Sequence, residues 1–216
     1  MEIIVEGKAK EFFIPNQVII SFEFISKNKN YEDTLNNGLK MIEEFINKVI
    51  LKNGFTKEDL KTSSFIIKEE KKYNESTHAY EFYKYSYNQN ASLKFDYDNE
   101  RLSNIINDIS KLNYPPIYQI NFGIKNKEEC HKKLLTKAYN DALEQAQIIA
   151  NAANKELIKC IKVDFKPFTQ DYISQVNLDI EPLALTKNNT SQAIFNAFTP
   201  EDILITETLY CIWIAE

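Results

Sequence analysis

The stretch that decides the fold is KEECHKKLLTKAYNDALEQAQIIANAA, at residues 127–153, which is followed directly by ELIKCIKVDF at 156–165. Small and apolar residues recur in the first segment at spacings of three and four, so they share one side of a helix. Because most of them are alanine, the helix backbone can lie close to its neighbour, and the simplest neighbour is a β-sheet. The predicted contact stripe consists of Leu135, Ala138, Ala142, Ala146, Ile149 and Ala153.

The residues before this helix predict two strands and a first helix. Residues 16–26 alternate apolar and polar side chains, which indicates a strand with one buried face, and a shorter strand is predicted at 2–6. From 31 to 53 the apolar spacing becomes helical, and Asn53-Gly54 provides a left-handed helix end. The predicted buried stripe of this helix is Leu35, Leu39, Ile42, Ile46 and Val49.

The remaining elements complete an α+β pattern. Strands are predicted at 61–73, 78–97, 117–125 and 156–166, with a second helix at 99–112. The last segment, EDILITETLYCIWIAE, is apolar enough that we expect it to pair in the interior of the sheet. The order is β-β-α-β-β-α-β-α-β-loop-β. Since strict βαβ alternation is missing, this order predicts a largely antiparallel sheet with three helices packed on it.

The chain is interpreted as a single domain over 1–216, with submodules at about 1–114 and 115–216. Residues 169–199 have no periodicity and are rich in Asn, Gln, Thr and Ser. A stretch of this length without regular elements is uncommon inside a compact domain. We therefore predict an irregular loop there, serving as an excursion or as a partner contact.

The composition excludes several classes of function. A net charge of −5 without a basic cluster argues against nucleic acid as the main partner. No apolar run reaches the roughly 18 residues that a membrane helix needs, so no transmembrane segment is predicted. The N-terminal sequence lacks the pattern of a secretory signal, which leads us to expect a cytoplasmic protein. Cys130, Cys160 and Cys211 are odd in number and widely spaced, as expected for reduced thiols rather than a disulfide framework.

The sequence contains no recognisable catalytic, cofactor-binding or metal-binding motif. The two histidines are His78, in a polar turn, and His131, which adjoins Cys130. Neighbours on a helix point about 100° apart, so His131 and Cys130 are not expected to act together. Asp141 lies beside the alanine stripe, and the simplest interpretation is a hydrogen bond at the helix–sheet contact. We therefore predict no catalytic residues, no cofactor and no metal.

Tyrosines crowd into the hairpin predicted at 61–97. Alternation places Tyr83, Tyr85 and Tyr87 on one face of the second strand, with Tyr80 and Phe82 on the other. Tyrosine combines a large apolar area with a polar tip, which suits a protein–protein interface. The alternative is that one strand face packs beneath a helix. The predicted interface residues are Tyr80, Tyr83, Tyr85 and Tyr87.

Five segments, taken in order, resemble the SIMPL-domain (YggE-like) family. The first is the opening I-V-E-G with the Pro15-Asn16 turn and the strand after it, and the second is N-G-F followed by K-E-D-L-K-T-S-S-F-I-I. The third is S-L-K-F-D-Y-D-N-E-R-L-S-N-I-I, and the last is F-T-P-E-D-I-L-I-T-E-T-L-Y-C-I-W-I. The fourth and best match is the A-x-x-D-A-x-x-x-A helix, with Ala138, Asp141, Ala142, Ala146 and Ala150.

The resemblance implies an α+β protein of unknown function without agreed catalytic residues. Bacterial members include exported proteins, proteins linked to stress tolerance and proteins that form large homo-oligomers, and a mammalian relative is an adaptor. We therefore expect a non-enzymatic bacterial protein that associates with itself as a homo-oligomer. The alternative is an adaptor module that binds a small ligand or peptide in a cleft closed by the 169–199 loop. A third alternative is an enzyme with an unrecognised site.

Overall fold

The computed structural model of the chain describes residues 1–166 and 199–216, and these residues form an α+β fold. In them the predicted order of strands and helices is confirmed. The strands are β1 (Glu2–Phe13), β2 (Gln17–Asn28), β3 (Leu60–Asn74), β4 (Ala79–Asp96), β5 (Ile117–Gly123), β6 (Leu157–Asp164) and β7 (Ile203–Ala215). The helices are α1 (Tyr31–Phe45), α2 (Asn99–Ile109) and α3 (Lys127–Ala152).

The chain forms two compact units, each with its own antiparallel sheet. Of the described residues, the first contains 1–14, 126–166 and 201–216, and the second contains 15–125 and 199–200. The divisions fall at 14/15 and 125/126, because β1 pairs with β7 and β5 pairs with β2. The 169–199 loop predicted from the sequence lies outside the described residues, except for Thr199.

In the first unit, α3 packs on a sheet with the strand order β1-β7-β6. The central position of β7 confirms the prediction for the last strand. The buried stripe of α3 is Leu134, Ala138, Ala142, Ala146 and Ala150. Three predicted alanines are confirmed, whereas Ile149 is 42% exposed and Ala153 lies beyond the helix end. The contact follows an unbroken i, i+4 row, so Ala150 rather than the bulkier Ile149 faces the sheet.

The contact between α3 and β1 is exceptionally close at Gly7. A Cβ atom placed on Gly7 would lie 2.0 Å from the carbonyl oxygen of Ala138 and 2.7 Å from Cβ of Ala142. Helix side chains also reach the free edge of β1. Asp141 Oδ2 accepts a hydrogen bond from the Lys8 backbone N–H at 2.8 Å, and Gln145 Nε2 donates to the Glu6 carbonyl at 3.0 Å. The interpretation of Asp141 as a helix–sheet contact residue is confirmed.

In the second unit, α1 and α2 pack on a sheet with the strand order β3-β4-β2-β5. Aromatic rings fill the centre of this core. The Phe45 ring lies 4.7 Å from that of Phe22 and 5.1 Å from that of Phe24. Helix α1 begins after Asn30, whose side chain accepts a hydrogen bond from the Asp33 N–H at 3.2 Å, as expected for an N-cap.

The buried face of α1 differs from the predicted stripe by about one residue. The buried residues of α1 are Thr34, Gly38, Met41 and Phe45. Of the predicted stripe, Val49 is buried, Leu35 and Ile42 pack partly buried against the core, and Leu39 is 51% exposed. One close contact within α1 accompanies this shift. Gly38 lets the Tyr87 ring approach so closely that a Cβ atom on Gly38 would lie 2.5 Å from it. A π-helical turn at Ile46–Ile50 then changes the helical spacing before the chain ends the helix at Gly54, where φ is 79°.

Candidate interaction surface

Strands β3 and β4 continue past the rest of their sheet as a two-stranded ribbon. The pairing of β2 with β4 ends at Asn28 and Tyr85. From there, residues 70–74 and 79–84 pair with each other, and among the described strands no third one joins them. An isolated two-stranded ribbon is marginally stable in water. We call this segment the β3–β4 ribbon.

A bulge in β4 corrects the predicted alternation of the tyrosines. Glu70 pairs with Lys84 and Lys71 pairs with Phe82, so Tyr83 is an extra residue on β4. An extra residue shifts the alternation by one position, so the side chains beyond the bulge point to the face opposite to the one that strict alternation predicts. Phe82 and Tyr80 therefore lie on the same face as Tyr85, not on the opposite face as predicted.

One face of the ribbon consequently carries a row of aromatic rings, which we call the aromatic ladder. Ring centroids are 5.3 Å apart for Tyr73 and Tyr80, and 5.0 Å apart for Phe82 and Tyr85. Tyr31, at the start of α1, continues the row at 5.5 Å from Tyr85. Tyr80 is 71% exposed, and Tyr73 and Phe82 are each nearly half exposed. The ladder consists of Tyr31, Tyr73, Tyr80, Phe82 and Tyr85.

The opposite face of the ribbon is charged. Lys27 Nζ donates to Glu70 Oε1 at 2.7 Å, and Lys84 Nζ lies 3.8 Å from the other oxygen of Glu70. The hydrogen bond from Lys27 lowers the pKa of the Glu70 carboxyl below its usual value. Nearer the turn, Glu81 accepts hydrogen bonds from Asn74 and Thr77, which lower its pKa in turn. The ribbon is therefore amphipathic, with an aromatic face and an ionic face.

The four tyrosines predicted as an interface are separated by this arrangement. Tyr80 and Tyr85 belong to the ladder. Tyr83 is 46% exposed, but it lies at the bulge, with Lys84 Nζ 4.7 Å from its ring centroid. Tyr87 is fully buried in the core beside Gly38, and burial raises the pKa of its hydroxyl. As a core residue, Tyr87 is not available for the predicted interface.

The ladder residues that the sequence prediction left out are Tyr31, Tyr73 and Phe82. Strict alternation places Phe82 on the other face, because no turn or glycine signal in the sequence marks the bulge. Tyr31 joins the row only because α1 begins beside the end of β2. This proximity depends on the tertiary fold and not on the alternation within the hairpin.

The histidine and cysteine candidates are not brought together as a catalytic group. His131 Nδ1 pairs with the Glu207 carboxylate on β7, away from Cys130. His78 lies in the exposed turn between β3 and β4, where its φ of 51° is left-handed, and its Nδ1 is 3.4 Å from the Tyr73 hydroxyl. Within residues 1–166 and 199–216, no group of three His, Cys, Asp or Glu side chains could hold a metal ion.

The second unit has a shallow cleft of about 280 Å³ beside the start of α2. Its lining cations already have partners inside the protein. Lys52 Nζ bonds the buried Asp108 carboxylate at 2.6 Å, and the Arg101 guanidinium lies 5.3 Å from the Phe55 ring centroid. Two acidic and two basic side chains line the cleft, so their charges balance and favour no particular ligand charge. The lining residues are Lys52, Asn53, Asp98, Glu100, Arg101 and Asn104.

Comparison with known families supports the assignment suggested by the sequence. None of the helices in the described part of the chain is long and apolar enough to span a membrane. A search of curated proteins finds no match. The profile described as "SIMPL: Protein of unknown function (DUF541)" matches residues 3–192. The chain therefore belongs to the SIMPL family.

Proposed function

We propose that this protein is non-enzymatic and associates with copies of itself through the aromatic ladder. The observation that carries the proposal is the row of exposed rings on one face of the β3–β4 ribbon. Contiguous exposed apolar patches on soluble proteins commonly mark interaction sites. Tyrosine and phenylalanine are also enriched at the centres of protein–protein interfaces. A partner on this face would also stabilise a ribbon that is marginal alone.

The charges on the ladder face favour a second copy as the partner. Glu69 lies opposite Tyr85 and Lys71 lies opposite Phe82, so this acid and this base share the face with the rings. A two-fold axis brings the same patch of both subunits together in opposite directions. In that arrangement Glu69 of each copy can approach Lys71 of the other while the rings stack. The face is thus self-complementary in charge.

The test is the mass of the native protein in solution, measured by light scattering after size exclusion at several concentrations. We expect the wild type to exceed the monomer mass of 25.2 kDa as a discrete oligomer. The double variant Tyr80→Ser, Phe82→Ser removes two exposed rings from the ladder and should shift the mass towards the monomer. Since both side chains are exposed, the fold should persist, and far-UV circular dichroism checks this.

Tyr83→Ser provides the matched control. Tyr83 has nearly the same exposure as Phe82 but lies outside the ladder, so its loss should leave the oligomer mass unchanged. A wild type that stays at the monomer mass at every concentration would refute self-association. An oligomer that survives the double variant, or that is lost equally with Tyr83→Ser, would refute the ladder as the contact.

A further inference from the structure

Two of the three cysteines lie together in the first unit. Cys160 on β6 pairs with Trp213 on β7, and Cys211 is two residues before Trp213. Residues two apart on a strand face the same side, so Cys160 and Cys211 are diagonal neighbours on one face of the sheet. Cys160 and the Tyr139 side chain from α3 both pack, partly buried, against the core cluster that contains Cys211. Cys130 is outside this cluster, at the start of α3.

The two thiols differ in access to solvent. Cys160 is half-buried on an edge strand, whereas Cys211 is fully buried on the central strand. Burial, and to a smaller extent the neighbouring Cys160 thiol, raises the pKa of the Cys211 thiol to about 11. A small oxidant from solution therefore meets Cys160 first, and Cys211 is placed to react with whatever forms there.

The strand that carries Cys160 has a bulge on each side of this residue. The register of β6 against β7 shifts twice, so Ile158 and Ile161 are bulged residues on either side of Cys160. Each bulge interrupts the ladder of backbone hydrogen bonds. Diagonal neighbours are ordinarily about 7–8 Å apart, slightly beyond the roughly 7 Å Cα separation at which a disulfide can close. A short segment between two bulges, on an edge strand, can move by the small distance required.

We infer that Cys160 and Cys211 form a reversible disulfide when the protein meets a peroxide. The Cys160 sulfur attacks the peroxide, the O–O bond breaks, and Cys160 becomes a sulfenic acid while one water leaves. The Cys211 sulfur then attacks the Cys160 sulfur, the S–O bond breaks, and the S–S bond forms. The lost hydroxide and the Cys211 proton leave as a second water. Two thiols are oxidised by two electrons in total, and a dithiol reductant reverses the step.

Thiol counting with hydrogen peroxide as the probe tests this inference. The fully reduced chain has three thiols. After treatment with stoichiometric peroxide and denaturation, we expect one free thiol, which peptide mapping should assign to Cys130. A peptide pair linked between Cys160 and Cys211 should appear and should vanish after dithiothreitol. Because Trp213 is the single tryptophan and lies opposite Cys160, its fluorescence should change with the same time course.

Variants separate this reaction from unspecific oxidation. On treatment with peroxide, the Cys130→Ser variant should go from two free thiols to none. The Cys160→Ser variant should keep Cys211 reduced, because the buried thiol has lost its reactive partner. Three thiols remaining in the wild type would overturn the inference. So would loss of thiols that maps to Cys130, or a disulfide between two chains. The wild-type result alone is decisive if a variant fails to fold.

Discussion

Replacing Gly7 with alanine should strongly destabilise the first unit. The new Cβ atom would meet the Ala138 carbonyl oxygen at 2.0 Å and the Ala142 backbone nitrogen at 2.8 Å. Both are backbone atoms, so no side-chain rotation relieves the contact and α3 must move away from β1. Overpacking of this kind costs about 1–3 kcal/mol.

The same movement weakens two hydrogen bonds from α3 to the edge of β1, those of Asp141 and Gln145. Each contributes about 1 kcal/mol. Alanine also lowers the conformational entropy of the unfolded chain relative to glycine, which offsets about 0.4–1 kcal/mol of this loss in stability. The net loss is therefore about 2–5 kcal/mol, a large part of the roughly 5–15 kcal/mol that stabilises a typical domain.

Urea unfolding measures this loss. With a slope of about 2 kcal/mol per molar urea, the midpoint of Gly7→Ala should fall by about 1–2.5 M. Fluorescence of the single Trp213 reports the first unit, and far-UV circular dichroism reports both units. Gly123→Ala is the matched control, because its Cβ atom would be 3.5 Å from Ile19 Cδ1, an ordinary contact. Equal midpoints for Gly7→Ala and the wild type would refute the close α3–β1 contact.

Two further predictions use the same urea assay. Gly38→Ala places a Cβ atom 2.5 Å from the Tyr87 ring and should destabilise the second unit by about 1–3 kcal/mol. Circular dichroism measures this loss, and an unchanged midpoint would contradict the close packing of Gly38 on Tyr87. For Cys211, the folded pKa of about 11 lies above the unfolded value of 9.0, so its contribution to stability is complete below pH 9 and lost as the pH rises to about 11. The wild-type midpoint should therefore fall more steeply than that of Cys211→Ala over this range, and parallel declines would argue against a buried thiol.

The regular elements were predictable because their periodicity follows from burial of one face. The order of strands and helices and the central place of β7 are examples. The alanine row of α3 was largely predictable as well, since small residues at i, i+4 spacing are typical of a helix that packs closely on its neighbour. The division into two sheets was not predictable, because it depends on which strands pair with each other. A hydrophobic pattern alone does not specify the partner of a strand.

The aromatic ladder was predictable only in part. A concentration of tyrosines in one hairpin pointed to the correct segment, but the bulge at Tyr83 reversed the facing of Tyr80 and Phe82. The burial of Tyr87 depends on Gly38, which is about fifty residues earlier in the sequence. Such local irregularities and long-range fits decide which side chains stay exposed, and alternation alone does not encode them.

The pairing of β1 with β7 has a consequence for how the chain folds. Glu2 lies opposite Ile214, so the first unit closes only when segments from both ends of the sequence meet. Contacts this distant slow folding, since a long loop must be ordered before they form. The second unit is built largely from the continuous segment 15–125, which is complete early in synthesis. We therefore expect the second unit to fold first during translation. β1 stays unpaired until β7 has left the ribosome.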